Sequence, residues 1–202
     1  MRTLDLVLTA AAACALAGTA APPSPPGQNL LQNPSFEDRS GPRQPDEKWG
    51  TGFLDGVSRS PFAHWGYGGF WDGGDYDIKL GKGRTGNLCA RLVCRTKGRG
   101  GICSEVIMAA PGTRLRFSGY FKAVGARGGA CFVNFEGTPG DGWARIALPD
   151  KPDYDWQEVT GEVTVPTPKK AAGDKVEILV FIYTKAYGEL WIDDVSLTVV
   201  QP

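Results

Sequence analysis

The side chains best placed to do chemistry are two acidic pairs near the ends of the chain, Glu37-Asp38 and Asp193-Asp194, and a run of aromatic residues interleaved with glycine between them. Asp193-Asp194 interrupts an apolar strand pattern, with Leu190 and Ile192 before it and Val195, Leu197 and Val199 after it. Strand side chains alternate faces with a period of two, so on a straight strand these sets point to opposite sides. A β-bulge at the two aspartates, which adds one residue, returns both sets to the same face. It also leaves a carboxylate half-buried, at a cost on the order of several kcal/mol unless something neutralises it. An oxygen-seeking cation such as calcium is one such partner. Arg91 or a neighbouring lysine is another. Residues 29–38 bring Glu37 and Asp38 in directly after a short apolar strand. Chain termini of a sandwich commonly lie close together, so the two acidic pairs are expected to meet.

Residues 61–77, PFAHWGYGGFWDGGDYD, cannot form a helix and are too interrupted for a long strand, which predicts a large shaped loop. Loops on a rigid sandwich are where binding groups tend to sit. Trp65, Tyr67, Trp71 and Tyr76 in this run, and Trp143 after a second Gly-rich loop at 137–142, offer flat apolar faces with polar tips. That chemistry suits the C–H faces of pyranose rings. Arg116, Tyr120, Asn134, Glu136 and Tyr183 stand at outward strand positions and supply polar partners for sugar hydroxyls. Together these residues are expected to line a groove across one sheet. The competing reading makes the tryptophans caps on the core. Trp156 and Trp191 are assigned to packing.

His64 is the only histidine, which excludes multi-histidine metal sites and copper oxygenase chemistry. Ser118, beside Gly119, lies on a strand without a nucleophile-elbow pattern. Glu136 with Glu105 or Asp75 is a carboxylate pair that nothing in the pattern singles out for glycoside hydrolysis. No catalytic residue is assigned.

The elements that must position these groups read as strands. Residues 113–123 set Leu115, Phe117, Gly119 and Phe121 on one face against Arg116, Ser118, Tyr120 and Lys122. Residues 130–136 set Cys131, Val133 and Phe135 against Phe132, Asn134 and Glu136, and residues 176–185 alternate in the same way. Eight or nine short strands without an amphipathic helix or internal repeat predict an all-β jelly-roll sandwich of two antiparallel sheets. With 202 residues, 42% of them hydrophobic, the chain can bury one good core, and a single domain over 29–200 is expected. The 28 glycines are roughly twice the usual ~7%, and with 15 prolines they indicate many turns. Twenty-two basic residues balance twenty-two acidic ones, so nucleic acid and anionic membranes are unsuited partners.

Residues 1–21 read as an export signal, followed by a Pro-rich linker at 22–28. Cleavage near Ala20 or Ala21 is one outcome. Acylation of Cys14, with the linker as a tether, is the other, and it is the only route to a membrane. The protein is expected to be secreted or held at the cell envelope as a monomer. Cys89, Cys94, Cys103 and Cys131 then remain, an even number in an exported chain. A hairpin of residues 88–94 with 102–107 sets Cys94 opposite Cys103 and predicts a disulfide there. The alternative is four small buried hydrophobes.

Three stretches carry a resemblance: residues 29–38, "CSEVIMAAPGTRLRFSGYFKA" at 103–123 and "GELWIDDVSLT" at 188–198. They resemble the calcium-containing carbohydrate-binding modules of families four, nine and twenty-two, over nearly the whole span from Asn29 to Val199. The resemblance implies a galactose-binding-like jelly roll. It also implies a structural calcium held by Glu37 and Asp194, with backbone carbonyls near residues 84–86. The expected function is non-catalytic binding of a polysaccharide or glycan. An adhesion or protein-interaction module of the same fold is the chief alternative, and a glycoside-active enzyme a lesser one.

Overall fold

The computed structural model describes residues 27–40, 60–67, 75–98, 100–126, 128–136, 142–167, 175–185 and 187–200. The expected export signal, Cys14, nearly all of the linker and Trp71 lie outside the described residues. Eleven strands run in chain order: β1 (Trp65–Tyr67), β2 (Tyr76–Lys82), β3 (Leu88–Cys94), β4 (Gly100–Ser104), β5 (Ile107–Ala109), β6 (Arg114–Val124), β7 (Ala130–Glu136), β8 (Trp143–Ala147), β9 (Tyr154–Thr164), β10 (Val176–Thr184) and β11 (Gly188–Val199). There is no helix among the described residues. The strands form two antiparallel sheets, one ordered β1-β4-β10-β7-β8 with β5 also on β10, the other ordered β2-β3-β11-β6-β9. This is the expected all-β jelly-roll sandwich. Its strand number exceeds the expected eight or nine because three-residue strands such as β1 and β5 are too short to show a periodicity.

Alternation places the core as the sequence implies. Leu115, Phe117 and Phe121 of β6 face Val133, Ile178, Val180 and Ile182 of the other sheet's strands, all fully buried in one cluster. Each such side chain contributes roughly 1.5–3 kcal/mol of burial. The final strand lies in the middle of its sheet, between β3 and β6.

β11 also carries the predicted bulge. Its pairing with β6 shifts register between Asp193 and Ser196, and Asp194 takes a left-handed φ of 48°. The outcome is that Leu190, Ile192, Val195 and Leu197 are all buried. β3 pairs with β11 only as far as Ile192, and beyond it residues 29–34 take over the vacated edge. Leu30 N–H donates to the Leu197 carbonyl at 2.8 Å and Val195 N–H to the Pro34 carbonyl at 2.9 Å. Asn29 spans the bulge, its Oδ1 accepting from Leu197 N–H and its Nδ2 donating to the Val195 carbonyl.

The predicted Cys94–Cys103 disulfide is absent, and Cys89, Cys94, Cys103 and Cys131 are free thiols. The error lies in the hairpin. β3 and β4 belong to different sheets, so Cys94 pairs across to Tyr76 and Gly188 while Cys103 pairs to Gly66 and Phe181. Burial pushes the Cys94 and Cys103 thiols up to about 11 and Cys89 to about 12, which keeps them protonated and unreactive at neutral pH. Non-reducing thiol labelling followed by peptide mass spectrometry should therefore show all four modified in denatured protein and protected in native protein. A Cys94–Cys103 crosslinked peptide would contradict the two-sheet assignment.

Candidate functional site

The two sheets differ sharply on their outer faces. On the five-stranded sheet, outward side chains of neighbouring strands pair with one another: Arg114 with Glu162 at 2.7 Å, Lys122 with Asp155 at 3.1 Å, Ser118 with Ser196 at 2.8 Å and Arg91 with Glu189 at 3.5 Å. On the six-stranded sheet the outward positions of β7, β8 and β10 carry rings. Phe132 lies parallel to Tyr183, centroids 5.1 Å apart and planes 4° apart, and Tyr183 stacks in turn on Phe181 at 6.0 Å. Trp143 meets Phe132 edge to face at 4.6 Å and 87°. Phe181 and Tyr183 are buried in a cluster of their own, Phe132 is half-buried and Trp143 is 46% exposed. Gly101 on β4 makes room for them, since a Cβ there would stand 2.9 Å from Phe181 Cζ and 3.0 Å from Tyr183 Cβ. Half-buried Asn134 pairs across to Trp143, and exposed Arg145 pairs across to Phe132. The result is a packed ring cluster from which one indole emerges, edged by an amide and a guanidinium.

Of the residues predicted to bind ligand, Asn134, Trp143 and Tyr183 come together on this face, with Tyr183 buried in the ring cluster. Glu136 ends β7 at the far side, opposite Glu177. The others do not join them. Arg116 and Tyr120 stand on β6 in the five-stranded sheet, so the groove expected from all of them does not exist. Tyr120 instead lies under the Arg84 guanidinium, 3.5 Å from its centre. Trp65, placed in a binding loop by its sequence, is 1% exposed in the core and donates Nε1–H to the Gln32 and Asn33 carbonyls, both at 3.1 Å. Tyr76 is also internal, its hydroxyl donating to the Gly101 carbonyl at 3.0 Å. Half-buried Tyr67 tilts against it and donates to Asp77 Oδ1 at 3.3 Å. Phe132, Phe181 and Arg145 were missed. Their signal was the strand alternation itself, which puts large apolar residues at outward positions of adjacent strands.

Of the first acidic pair Glu37 meets Asp193 and Asp194 around the loop joining β2 to β3, while Asp38 is exposed and is bonded through its backbone to Asn33. Asp193, fully buried, accepts Arg84 N–H at 2.7 Å and Thr85 N–H at 3.3 Å through Oδ2, and Asp194 N–H at 2.8 Å through Oδ1. Burial pushes its carboxyl up to about 6, against the pull of those amides. Glu37 Oε1 accepts Asn87 N–H at 2.7 Å and Leu88 N–H at 2.9 Å. Gly86 sits between these two sets at φ 60°, where a Cβ would collide with Glu37 Oε1. Asp194 Oδ1 accepts from Ser35 Oγ at 2.9 Å and Thr85 Oγ1 at 2.6 Å, while Oδ2 takes Arg84 Nη1 at 2.7 Å. The ion-pair partner is thus Arg84 and not Arg91 or a lysine. Beside the Arg84 guanidinium the other side chains here present hard oxygens of the kind calcium takes, and Asp194 Oδ2 is already paired with that cation. Among the described residues no three His, Cys, Asp or Glu side chains gather to hold an ion, so Glu37 and Asp194 would need hydroxyl, main-chain or water oxygens to complete a shell.

No family model and no curated protein sequence matches the chain. Solved structures do resemble it. The N-terminal CBM22-1–CBM22-2 tandem domain of Paenibacillus barcinonensis Xyn10C aligns over 91% of this chain and 48% of its own, at 15% identity and TM-score 0.54. The enzymatically active domain of bacteriophage CBA120 tailspike protein 4 aligns over 85% of this chain and 21% of its own, at 12% identity and TM-score 0.54. An arabinose-bound MgGH51 α-L-arabinofuranosidase aligns over 85% of this chain and 26% of its own, at 14% identity and TM-score 0.51. The chain spans less than half the length of each, and the likeness is one of fold.

Trp65→Ala and Trp143→Ala should separate the core from the ring cluster. Removing the buried indole costs about 3–5 kcal/mol, whereas removing the exposed one stays within about 1 kcal/mol. Denaturant unfolding of the two variants measures the difference; equal losses would mean that Trp143 is part of the core.

Proposed function

We propose that this protein is an exported, non-catalytic module that binds a polysaccharide or glycan chain on the outer face of its six-stranded sheet. The observation that carries this reading is the exposed Trp143 ring braced against Phe132, beside Asn134, on one of two sheets whose outer faces are otherwise so different. A pyranose offers an apolar C–H face and a rim of hydroxyls, and the exposed indole offers a ring face with amide and guanidinium groups at its edge. The tandem domain of the Paenibacillus protein is described as a pair of carbohydrate-binding modules, and the arabinofuranosidase as arabinose-bound, which supports the same class of ligand.

The test is retention on polysaccharides in affinity gels and on a glycan panel. Truncating a central aromatic anchor typically costs about 2 kcal/mol or more, so Trp143→Ala should weaken binding by roughly thirtyfold or more. Unchanged retention would remove this face as the site. Absence of retention on every polymer would favour a protein-binding module instead.

Calcium enters this reading as a brace between the chain ends, held by Glu37 and Asp194 and joining residues 29–38 to β11. Arg84 supplies positive charge to Asp194 in its place, and its guanidinium already lies over Tyr120. At about 100 times its Kd a cation stabilises by about 2.7 kcal/mol, or roughly 5–10 °C in a domain of this size. Thermal melts should show that rise on adding calcium to chelator-treated protein, and Arg84→Gln should enlarge it. Identical melts with calcium and chelator in both proteins would leave Arg84 as the only cation at the junction.

A further inference from the structure

Resting on that reading of the six-stranded face, we infer that its ligand is an acidic polysaccharide, one carrying uronic acid carboxylates, and that Arg145 is the residue that selects it. Arg145 and Trp143 are both exposed and share the outer face of β8, two residues or about 7 Å apart along the strand. Ala144 and Ile146 between and beyond them pack on the core, so the two ligand-facing groups are held in fixed relation. Arg145 forms no ion pair among the described residues. On the opposite sheet Arg91 and Arg114 each sit within 3.5 Å of a carboxylate oxygen, and exposed Arg116, which also forms no ion pair among the described residues, stands between Thr198 and Glu162 with no ring at its register positions. An unpaired guanidinium next to an exposed indole is a poor device for neutral sugar, which gains from it only an ordinary hydrogen bond. A uronic acid carboxylate is planar and matches the guanidinium fork with two charge-assisted bonds.

The face is also polar from end to end. Arg145 stands in the row of Phe132 and Phe181, whereas exposed Glu177 lies four residues further along β10, about 13 Å away, with Glu136 opposite it. An acidic unit is therefore attracted at the Phe132 end and repelled at the other. Trp143 supplies stacking for any sugar, and Arg145 adds the preference for charge.

The test compares a polyuronate, polygalacturonate, with the same polymer after its carboxyls are reduced to alcohols, and with a sulfated galactan, by isothermal titration of the intact protein. The native polymer should bind about tenfold more tightly than the reduced one. The difference should shrink at high salt and vanish in Arg145→Gln, while Trp143→Ala should lose both polymers. Equal binding of native and reduced polymer, unaffected by Arg145→Gln, would overturn the inference while leaving the sugar-binding reading intact. Tighter binding of the sulfated galactan, or equal weakening of both uronate forms by Arg145→Gln, would also overturn it. Failure to bind any of these polymers or the wider panel would remove the underlying reading itself.

Discussion

The constraint on which the rest of this structure depends is the burial of the Asp193 carboxylate inside the bulge of β11. A carboxyl that burial lifts to about 6 is an unfavourable thing to place in the middle of a sheet. The bulge nonetheless keeps Leu190, Ile192, Val195 and Leu197 on the inner face, all at 1% exposure or less. At roughly 1.5–3 kcal/mol each, turning Val195 and Leu197 outward would forfeit about 3–6 kcal/mol. That loss outweighs the residual cost of a carboxylate that already accepts three amide hydrogen bonds. The loop between β2 and β3 and residues 29–38 are then obliged to wrap the bulge, one group of loop amides turning to Asp193 and another to Glu37. The same arrangement brings both ends of the domain to one point.

With that sheet closed by its own pairs, the difference between the two outer faces follows. Exposed ion pairs such as Arg114–Glu162 contribute little to stability. Their consequence is chemical: side chains already partnered across strands are less free to meet a ligand. Among the described residues no ion pair joins β7, β8 and β10 on the six-stranded sheet. Its outward positions hold Phe132, Phe181, Tyr183 and Trp143, a second apolar cluster on the far side of the sheet from the main core. The rings of the five-stranded sheet's outer face, Tyr120 and Trp191, lie instead under the guanidinium groups of Arg84 and Arg91.

Much of this was legible in the sequence where a local rule was enough. Period-two alternation located the inner faces of β6, β7 and β10, and the conflict of phase around Asp193-Asp194 required a bulge, because both follow from neighbours in the chain. The site was less legible. Arg116 and Tyr120 alternate in the same way as Asn134, but alternation states only that a side chain points outward, not from which of two sheets. The same gap produced the Cys94–Cys103 error, since a short Gly-rich connection reads as a hairpin whether it turns within a sheet or crosses between sheets. Trp65 misled for a different reason. Its glycine-rich surroundings look like a displayed loop, yet Phe36, remote in sequence, packs on the indole with its centroid 4.9 Å away and is itself met edge-on by Phe62.

Preorganisation is what the packing around the single exposed indole of this face supplies. Ordering a rotamer-rich side chain on binding costs about 0.5–1.5 kcal/mol. Trp143 is already fixed by the edge of Phe132, and Phe132 by the face of Tyr183, which Gly101 allows to lie close to the strand. The ring is therefore held in one orientation by its neighbours. Arg145 on the same short strand is referred to the same support through its register partner Phe132. Any side chain larger than hydrogen at Gly101 would push Phe181 and Tyr183 outward, tilt Phe132 and shift Trp143, so the position of the indole on β8 rests on a glycine two strands beyond the β7 ring that braces it.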